Sequence, residues 1–361
     1  MNTKELENMR RRNRRIIDAV IEKAGRVCPG SLAMIGVYGS FRTGDVTAHS
    51  DLDLLILIRD DRGWALSSGF ILNGVGFDLY CTTWESLEAE AAYSTPHISK
   101  LMDAEIVYCP EETDRARLEA LRRRVWETLR APFGAADLER AKQALLPAEQ
   151  AFARLLCAET GRACRDAACA MLYHLESAVC LLNKSYFRYG VKRVFEELSR
   201  LPDVPADFEP LARSLASGSI PEQMHRTARY LMQAVYACFD AVQNRMASAP
   251  RKAPTAEALR GTLEEMVSNW RGKLIEAAGC GDAHAALMAL GSLQGFFDDL
   301  AGAFDLPLYD ALACFDPADL RGTAARFDAL LDRYETLYAR VGLSCTAYKD
   351  MDAFETAYRA R

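Results

Sequence analysis

Residues 38–57 read YGSFRTGDVTAHSDLDLLIL. The stretch holds a glycine-serine turn, a polar link, and two aspartates, Asp51 and Asp53, at the mouth of an apolar run. Ionised carboxylates beside such a run are costly unless something of opposite charge meets them. Arg42, Arg59 and Arg62 could supply a salt bridge, and a metal ion would serve as well. Two aspartates two apart on a strand leave the same face. Their charges then lie side by side, which is repulsive without a counter-ion.

Around this stretch the spacing predicts a small mixed sheet. Leu32–Tyr38 reads as a buried strand, and Asp51–Ile58 as a second, apolar enough for burial on both faces. Phe70–Leu72 and Val75–Cys81 flank Asn73-Gly74, a strong hairpin signal. Ala104–Tyr108, closed by Pro110, gives a fifth strand, with helices expected over Trp84–Ala92 and Asp114–Leu129. From about Ala135 the strand texture gives way to long amphipathic patterns: Asp137–Thr160, Asp166–Tyr189, Lys192–Leu201, Met224–Met246, Ala256–Gly279, Ala283–Phe304 and Ala318–Val341. Turn-rich joints, LPDVPADFEP and SAPRKAPT, separate some of them. The expected fold class is α+β, a small mixed-sheet domain at 1–134 followed by a large all-helical region divided as 135–250 and 251–361.

Asp78 falls on another predicted strand, in GFDLYC, and joins the aspartate pair if the strands are neighbours. Three converging carboxylates offer hard oxygen ligands suited to one or two Mg²⁺ ions. Two such ions, about 3.5–4 Å apart, clamp the attacking and leaving oxygens of a phosphoryl displacement. The upstream half fits the same chemistry. Gly39-Ser40 opens a turn whose backbone N–H groups and hydroxyl can face an anion, and Gly39 lets backbone approach it closely. Arg42 suits the outer phosphates, and His49 and Ser50 stand just before the first aspartate.

Gly39-Ser40, ten intervening residues, Asp51-Leu52-Asp53 and the later Asp78 together resemble the signature of the polymerase-beta-like nucleotidyltransferase superfamily. The motif spans 39–78, and the matching domain about 1–130. The resemblance implies transfer of a nucleoside monophosphate from a nucleoside triphosphate to a hydroxyl or similar acceptor, with release of pyrophosphate. It implies that Asp51 and Asp53 bind the catalytic metals, that Asp78 completes the site and helps deprotonate the acceptor, and that Ser40 and nearby backbone hold the triphosphate. Two bland alternatives stand beside it: a structural Asp-x-Asp paired with arginine, and the same fold kept as an inactive scaffold.

Residues 174–198, HLESAVCLLNKSYFRYGVKRVFEEL, carry a core stripe of Leu175, Ala178, Val179, Leu182 and Tyr186. Lys184, Arg188, Lys192 and Arg193 then gather positive charge around a Tyr-Gly joint. Either they form a solvated helix end, or Lys184 or Lys192 reaches the triphosphate. The segment is similar to the helical substrate domains of small-molecule nucleotidyltransferases, including those that modify aminoglycoside and lincosamide antibiotics. Glu176, on the same helix, is a candidate acceptor-side base or a surface carboxylate. The last hundred residues carry no chemical motif; an acceptor-pocket wall or a homodimer contact is their expected use.

Bulk composition narrows the partners. Half of the 361 residues are hydrophobic and the net charge is −6, which argues against a protein built to neutralise nucleic-acid phosphates. The cluster RRRNRR (Arg10–Arg15) is followed by Ile16, Ile17, Val20 and Ile21, so an exposed face of an amphipathic helix is expected. Eleven scattered cysteines without a CxxC pair point to reduced thiols and a cytoplasmic location. The histidines have no partners at metal-site spacing, and neither a signal peptide nor a membrane span is read. The expected activity is Mg²⁺-dependent nucleotidyl transfer to a small molecule. A protein or RNA acceptor, or a non-catalytic nucleotide-binding module, are the competing readings.

Overall fold

Helix α1 (Thr3–Val27) forms because Met9, Ile16, Ile17, Val20 and Ala24 recur at helical spacing and bury one stripe. The computed structural model describes residues 3–247 and 251–360. The chain falls into two compact units, Met1–Met246 and Ala247–Arg361. The SAPRKAPT joint begins at Ser248–Pro250, which lie outside the described residues.

In the first unit, β1 (Leu32–Val37) leads into a four-residue turn of helix, α2 (Ser40–Thr43), and then β2 (Leu54–Ile58). Next come β3 (Ser68–Leu72), β4 (Val75–Leu79), β5 (Cys81–Thr83), α3 (Trp84–Ala91), α4 (Ser99–Asp103), β6 (Glu105–Tyr108) and α5 (Glu112–Arg130). The four-stranded sheet has the order β5-β2-β1-β6. β1 runs antiparallel to β2 and β6, whereas β5 lies parallel to β2. All five β2 residues are buried because both faces are covered. Leu54, Ile56 and Ile58 pack beneath α1, while Leu55 and Leu57 join the core on the opposite face.

Two strand expectations change. β2 starts at Leu54, so Asp51 and Asp53 occupy the extended segment that precedes the ladder. The predicted strand Val75–Cys81 breaks at Tyr80. Its first part pairs only with β3, as a separate two-stranded sheet turning at Asn73 (φ 53°) and Gly74 (φ 78°). It is β5 that lies against β2.

The helices that follow are α6 (Ala135–Leu156), α7 (Gly161–Leu182), α8 (Val194–Leu198), α9 (Phe208–Ala216) and α10 (Pro221–Ala247). α7 ends seven residues earlier than its pattern suggests, because Asn183 closes it and Lys184 takes φ 48°. The LPDVPADFEP joint already contains the start of α9. Ala33, Met34, Leu55 and Leu57 from the sheet share one core with Leu145, Ala148 and Leu175 and with α8 to α10.

The second unit is helical: α11 (Ala256–Leu259), α12 (Thr262–Met266), α13 (Gly272–Cys280), α14 (Ala283–Ala303), α15 (Leu320–Arg340) and α16 (Met351–Arg359). A single helix over 256–279 is not formed; Gly261 at φ 84° and a π turn at Val267–Arg271 interrupt it. Its core packs Trp270, Phe297, Tyr309, Tyr334 and Tyr338, with Thr262 Oγ 2.8 Å from the Tyr334 hydroxyl. The fold class is α+β. All eleven cysteines are free, and among the described residues no helix is long and apolar enough to cross a membrane.

Candidate active site

β1 delivers the chain to Tyr38, whose backbone N–H donates to the Asp53 carbonyl at 3.1 Å. This bond lays the glycine-serine turn directly over the aspartate pair. Gly39 has φ 63° and ψ −145°, and a Cβ there would stand 1.9 Å from Asp53 Oδ2. Only glycine meets both conditions. α2 then folds back, Arg42 and Thr43 N–H donating to the Gly39 carbonyl. The Ser40 backbone N–H donates to the Asp53 carboxylate, while Ser40 Oγ is buried with no hydrogen-bond partner. A buried hydroxyl without a partner is costly, and this residue lines the same cavity as the two aspartates.

Leu52 packs with Leu54 and Ile56 in the core beneath α1. The alternation of an extended chain therefore turns Asp51 and Asp53 to the other side. Burial, reinforced by the Asp51 charge, raises the pKa of Asp53; the Ser40 hydrogen bond and the Lys192 charge oppose it. The ionised form of Asp53 is thus under-compensated by protein groups alone. Tyr38 lies amid several carboxylates. Burial and the charges of Asp53, Glu90, Asp51 and Asp78 push its phenol up to about 12, so it stays neutral.

A cavity of about 400 Å³ opens here, with Tyr38, Ser40, Asp51, Asp53, Ser99 and Lys192 in its walls. The sheet supplies one side and the 188–192 segment after α7 the other.

Two family models match the chain, a nucleotidyltransferase domain over residues 14–101 and a KNTase C-terminal domain over 156–268. The chain belongs to the polymerase-beta-like nucleotidyltransferase superfamily. It is a nucleotidyltransferase. Among solved structures, a nucleotidyltransferase-like protein from Exiguobacterium sibiricum 255-15 is similar at 14% identity and a TM-score of 0.32. That match covers 72% of this chain and 92% of the other. No curated protein matches the chain.

Within the nucleotidyltransferase the expected site residues divide. Gly39, Ser40, Asp51, Asp53 and Lys192 come together around one cavity, with His49 and Ser50 on its rim. Arg42 does not join them. Its Nη1 donates to Glu105 Oε2 at 2.9 Å, and it lines an adjoining hollow of about 540 Å³ with Asp103, Arg115, Arg122 and Arg188. Lys184 is turned elsewhere: its Nζ donates to the Ala131 carbonyl at 2.6 Å and pairs with Asp137 Oδ2 at 3.2 Å. The left-handed turn at Lys184 aims it at the start of α6 instead of the cavity.

Asp78 is exposed on the hairpin, opposite Gly69. Among the described residues no three His, Cys, Asp or Glu side chains come together to hold a metal, so the expected three-carboxylate cluster is not assembled. The hairpin's separation from β2 is the reason. The remaining pair still fits Mg²⁺, which is commonly held by one or two carboxylates together with substrate phosphates and water.

Two residues were missed. Arg12, in the cluster expected to be exposed, is half-buried; its Nη2 donates to the Ser50 carbonyl at 3.1 Å and its guanidinium lies 4.7 Å from the Phe77 ring centroid. It stands four residues before the buried Ile16, a spacing that could have flagged it. Tyr38 had only its place before Gly39 to mark it. Glu176 is half-buried, and burial alone pushes its carboxyl up to about 7. It does not line the aspartate cavity.

Proposed function

We propose that the enzyme transfers a nucleoside monophosphate from a nucleoside triphosphate to a hydroxyl of a small-molecule acceptor of aminoglycoside or lincosamide type. The observation that carries this reading is the unpartnered Ser40 hydroxyl in a residue that shares its cavity with Asp51 and Asp53, next to a glycine whose missing Cβ leaves room for the Asp53 carboxylate. In this reading Ser40 Oγ and the turn's backbone bind the triphosphate. Lys192 adds a positive charge from the opposite wall, and Asp51 and Asp53 hold Mg²⁺. When bound, the metal supplies charge neutralisation on the phosphates and at the attacking oxygen.

The acceptor oxygen forms a bond to the α-phosphorus as the bond to pyrophosphate breaks, and the acceptor's proton passes to a base. Asp78, whose charge acts on the Tyr38 phenol, is the carboxylate available for that proton. Tyr38 holds its own proton at neutral pH and is unsuited to the role. Catalysis is then positioning plus electrostatics.

Asp53→Asn tests the site. Its side chain keeps the shape and loses the charge, so Mg²⁺-dependent nucleotide binding and pyrophosphate release should disappear while circular dichroism stays unchanged. Transfer at the normal rate by this variant refutes the assignment. Labelled nucleotide offered with aminoglycosides, lincosamides, RNA and protein then separates the acceptor classes.

A further inference from the structure

Resting on the nucleotide reading of this cavity, we infer that Arg193 is a positioning residue which, by gripping Asp45, sets where Lys192 meets the triphosphate. Arg193 lies 148 residues from Asp45 in sequence, yet its Nη1 donates to Asp45 Oδ1 at 3.0 Å and Oδ2 at 3.2 Å. The other edge of the guanidinium donates to both Glu196 oxygens at 2.6 Å. Its flat face covers the Tyr189 ring, 3.9 Å from the centroid. A planar fork filled on two edges and stacked on one face has little freedom left.

The grip continues to the phosphate side. The Asp45 backbone N–H donates to the Ser40 carbonyl at 3.1 Å, next to the Gly44 N–H bond to the same oxygen. A chain of hydrogen bonds therefore runs from the orphaned Ser40 through Asp45 to Arg193, the neighbour of Lys192. The other end of the 188–192 segment is tied as well. Arg188 and Tyr189 N–H donate to the two Glu197 oxygens at 2.8 and 3.1 Å, and the chain turns at the next residue, Gly190, at φ 65°. The segment spans the cavity between two anchors: Glu197 holds its start from α8, and Asp45 holds its end from the opposite wall. Lys192 lies in the single turn of 3-10 helix that ends at the second anchor. The two anchors thereby fix the backbone position from which its side chain reaches the cavity.

The test uses the full-length protein in calorimetric titrations with Mg²⁺ and each of the four α,β-methylene nucleoside triphosphates. Asp45→Asn and Lys192→Ala should each weaken binding roughly tenfold, a coupling of ordinary size for a direct network. The double variant should be no more than about twofold weaker than Lys192→Ala alone, because Asp45 acts through Lys192. Amide hydrogen exchange at 188–193 in the nucleotide-free protein should speed up in Asp45→Asn. Multiplicative losses in the double variant, unchanged affinity in Asp45→Asn, or unchanged exchange each overturn the positioning role. If the unmodified protein binds none of the four analogues, the nucleotide reading falls, and the role given to Lys192 falls with it. Binding with independent effects overturns the positioning alone.

Discussion

Gly39→Ala asks two physical questions of one backbone position. The first is conformational: at φ 63° and ψ −145° an L-residue with a Cβ is strained, at a cost of about 1–3 kcal/mol. The second is steric: the new methyl would meet Asp53 Oδ2 at 1.9 Å and Cγ at 2.5 Å, where contacts below 3.0 Å do not persist. Either the carboxylate or the turn must retreat by about 1 Å, a displacement that can cost on the order of 100-fold in a positioned reaction. Gly44→Ala separates the two effects. Gly44 also has positive φ, 81°, but nothing lies within 4 Å of its would-be Cβ. Both variants should lose stability in urea unfolding, Gly44→Ala by about 1–2 kcal/mol. Pyrophosphate release should fall about 100-fold in Gly39→Ala and stay within about threefold in Gly44→Ala. Normal turnover in Gly39→Ala refutes the argument that this glycine exists to seat Asp53. Equal losses in both variants attribute the effect to backbone strain alone.

Two further substitutions probe charges away from the aspartate pair. Burial lifts the Glu176 carboxyl from 4.5 to about 7, so the folded chain keeps a proton that the unfolded chain releases; the resulting instability is absent below about pH 4.5, grows as pH rises, and is complete above pH 7. Glu176→Gln should therefore gain about 2 kcal/mol over the unmodified protein between pH 5 and pH 8 in urea titrations, and parallel pH profiles would contradict the burial argument. Lys184→Met leaves the Ala131 carbonyl and Asp137 short of a donor, at a cost of about 2–4 kcal/mol in the same assay. Its nucleotide affinity should stay unchanged, and a tenfold loss would restore Lys184 to the phosphate site.

The legible parts of this fold were those set by local chemistry. Asn73-Gly74 needs positive φ at both residues and marks its hairpin wherever it occurs. The run Leu54–Ile58 reads as a strand covered on both faces because every residue in it is apolar. Gly39, Ser40, Asp51 and Asp53 meet because one hydrogen bond, Tyr38 to Asp53, joins the ends of adjacent antiparallel strands. What failed depended on partners distant in sequence. Nothing in GFDLYC tells that the chain breaks at Tyr80 and gives β2 a different neighbour, so Asp78 lies on a separate two-stranded ladder instead of the strand paired with β2. Lys184 and Lys192 have equal charge and similar surroundings in sequence. Only the turn at Asn183–Lys184 decides which faces the cavity, and that turn is set by Asn183 bonding to Asp203, twenty residues on.

The way the sheet meets the helices limits how the cavity can close. Ala33, Met34, Leu55 and Leu57 are buried in the same core as α5 to α10, not across a polar boundary from them. Rotating the sheet away from the bundle would expose close-packed apolar side chains to water, a cost that grows with every residue uncovered. Hinged opening of two rigid halves is thus disfavoured, unlike the case where small polar interfaces separate domains. Displacements that leave this core intact are instead least costly in two rim segments that contribute nothing to it. These are the Gly44–Ser50 loop and the Arg188–Lys192 segment, both on the rim and both held through the Arg193–Asp45 pair. That pair is partly exposed, its side chains at 28% and 30%, so water can compete for it and its opening costs far less than parting the core.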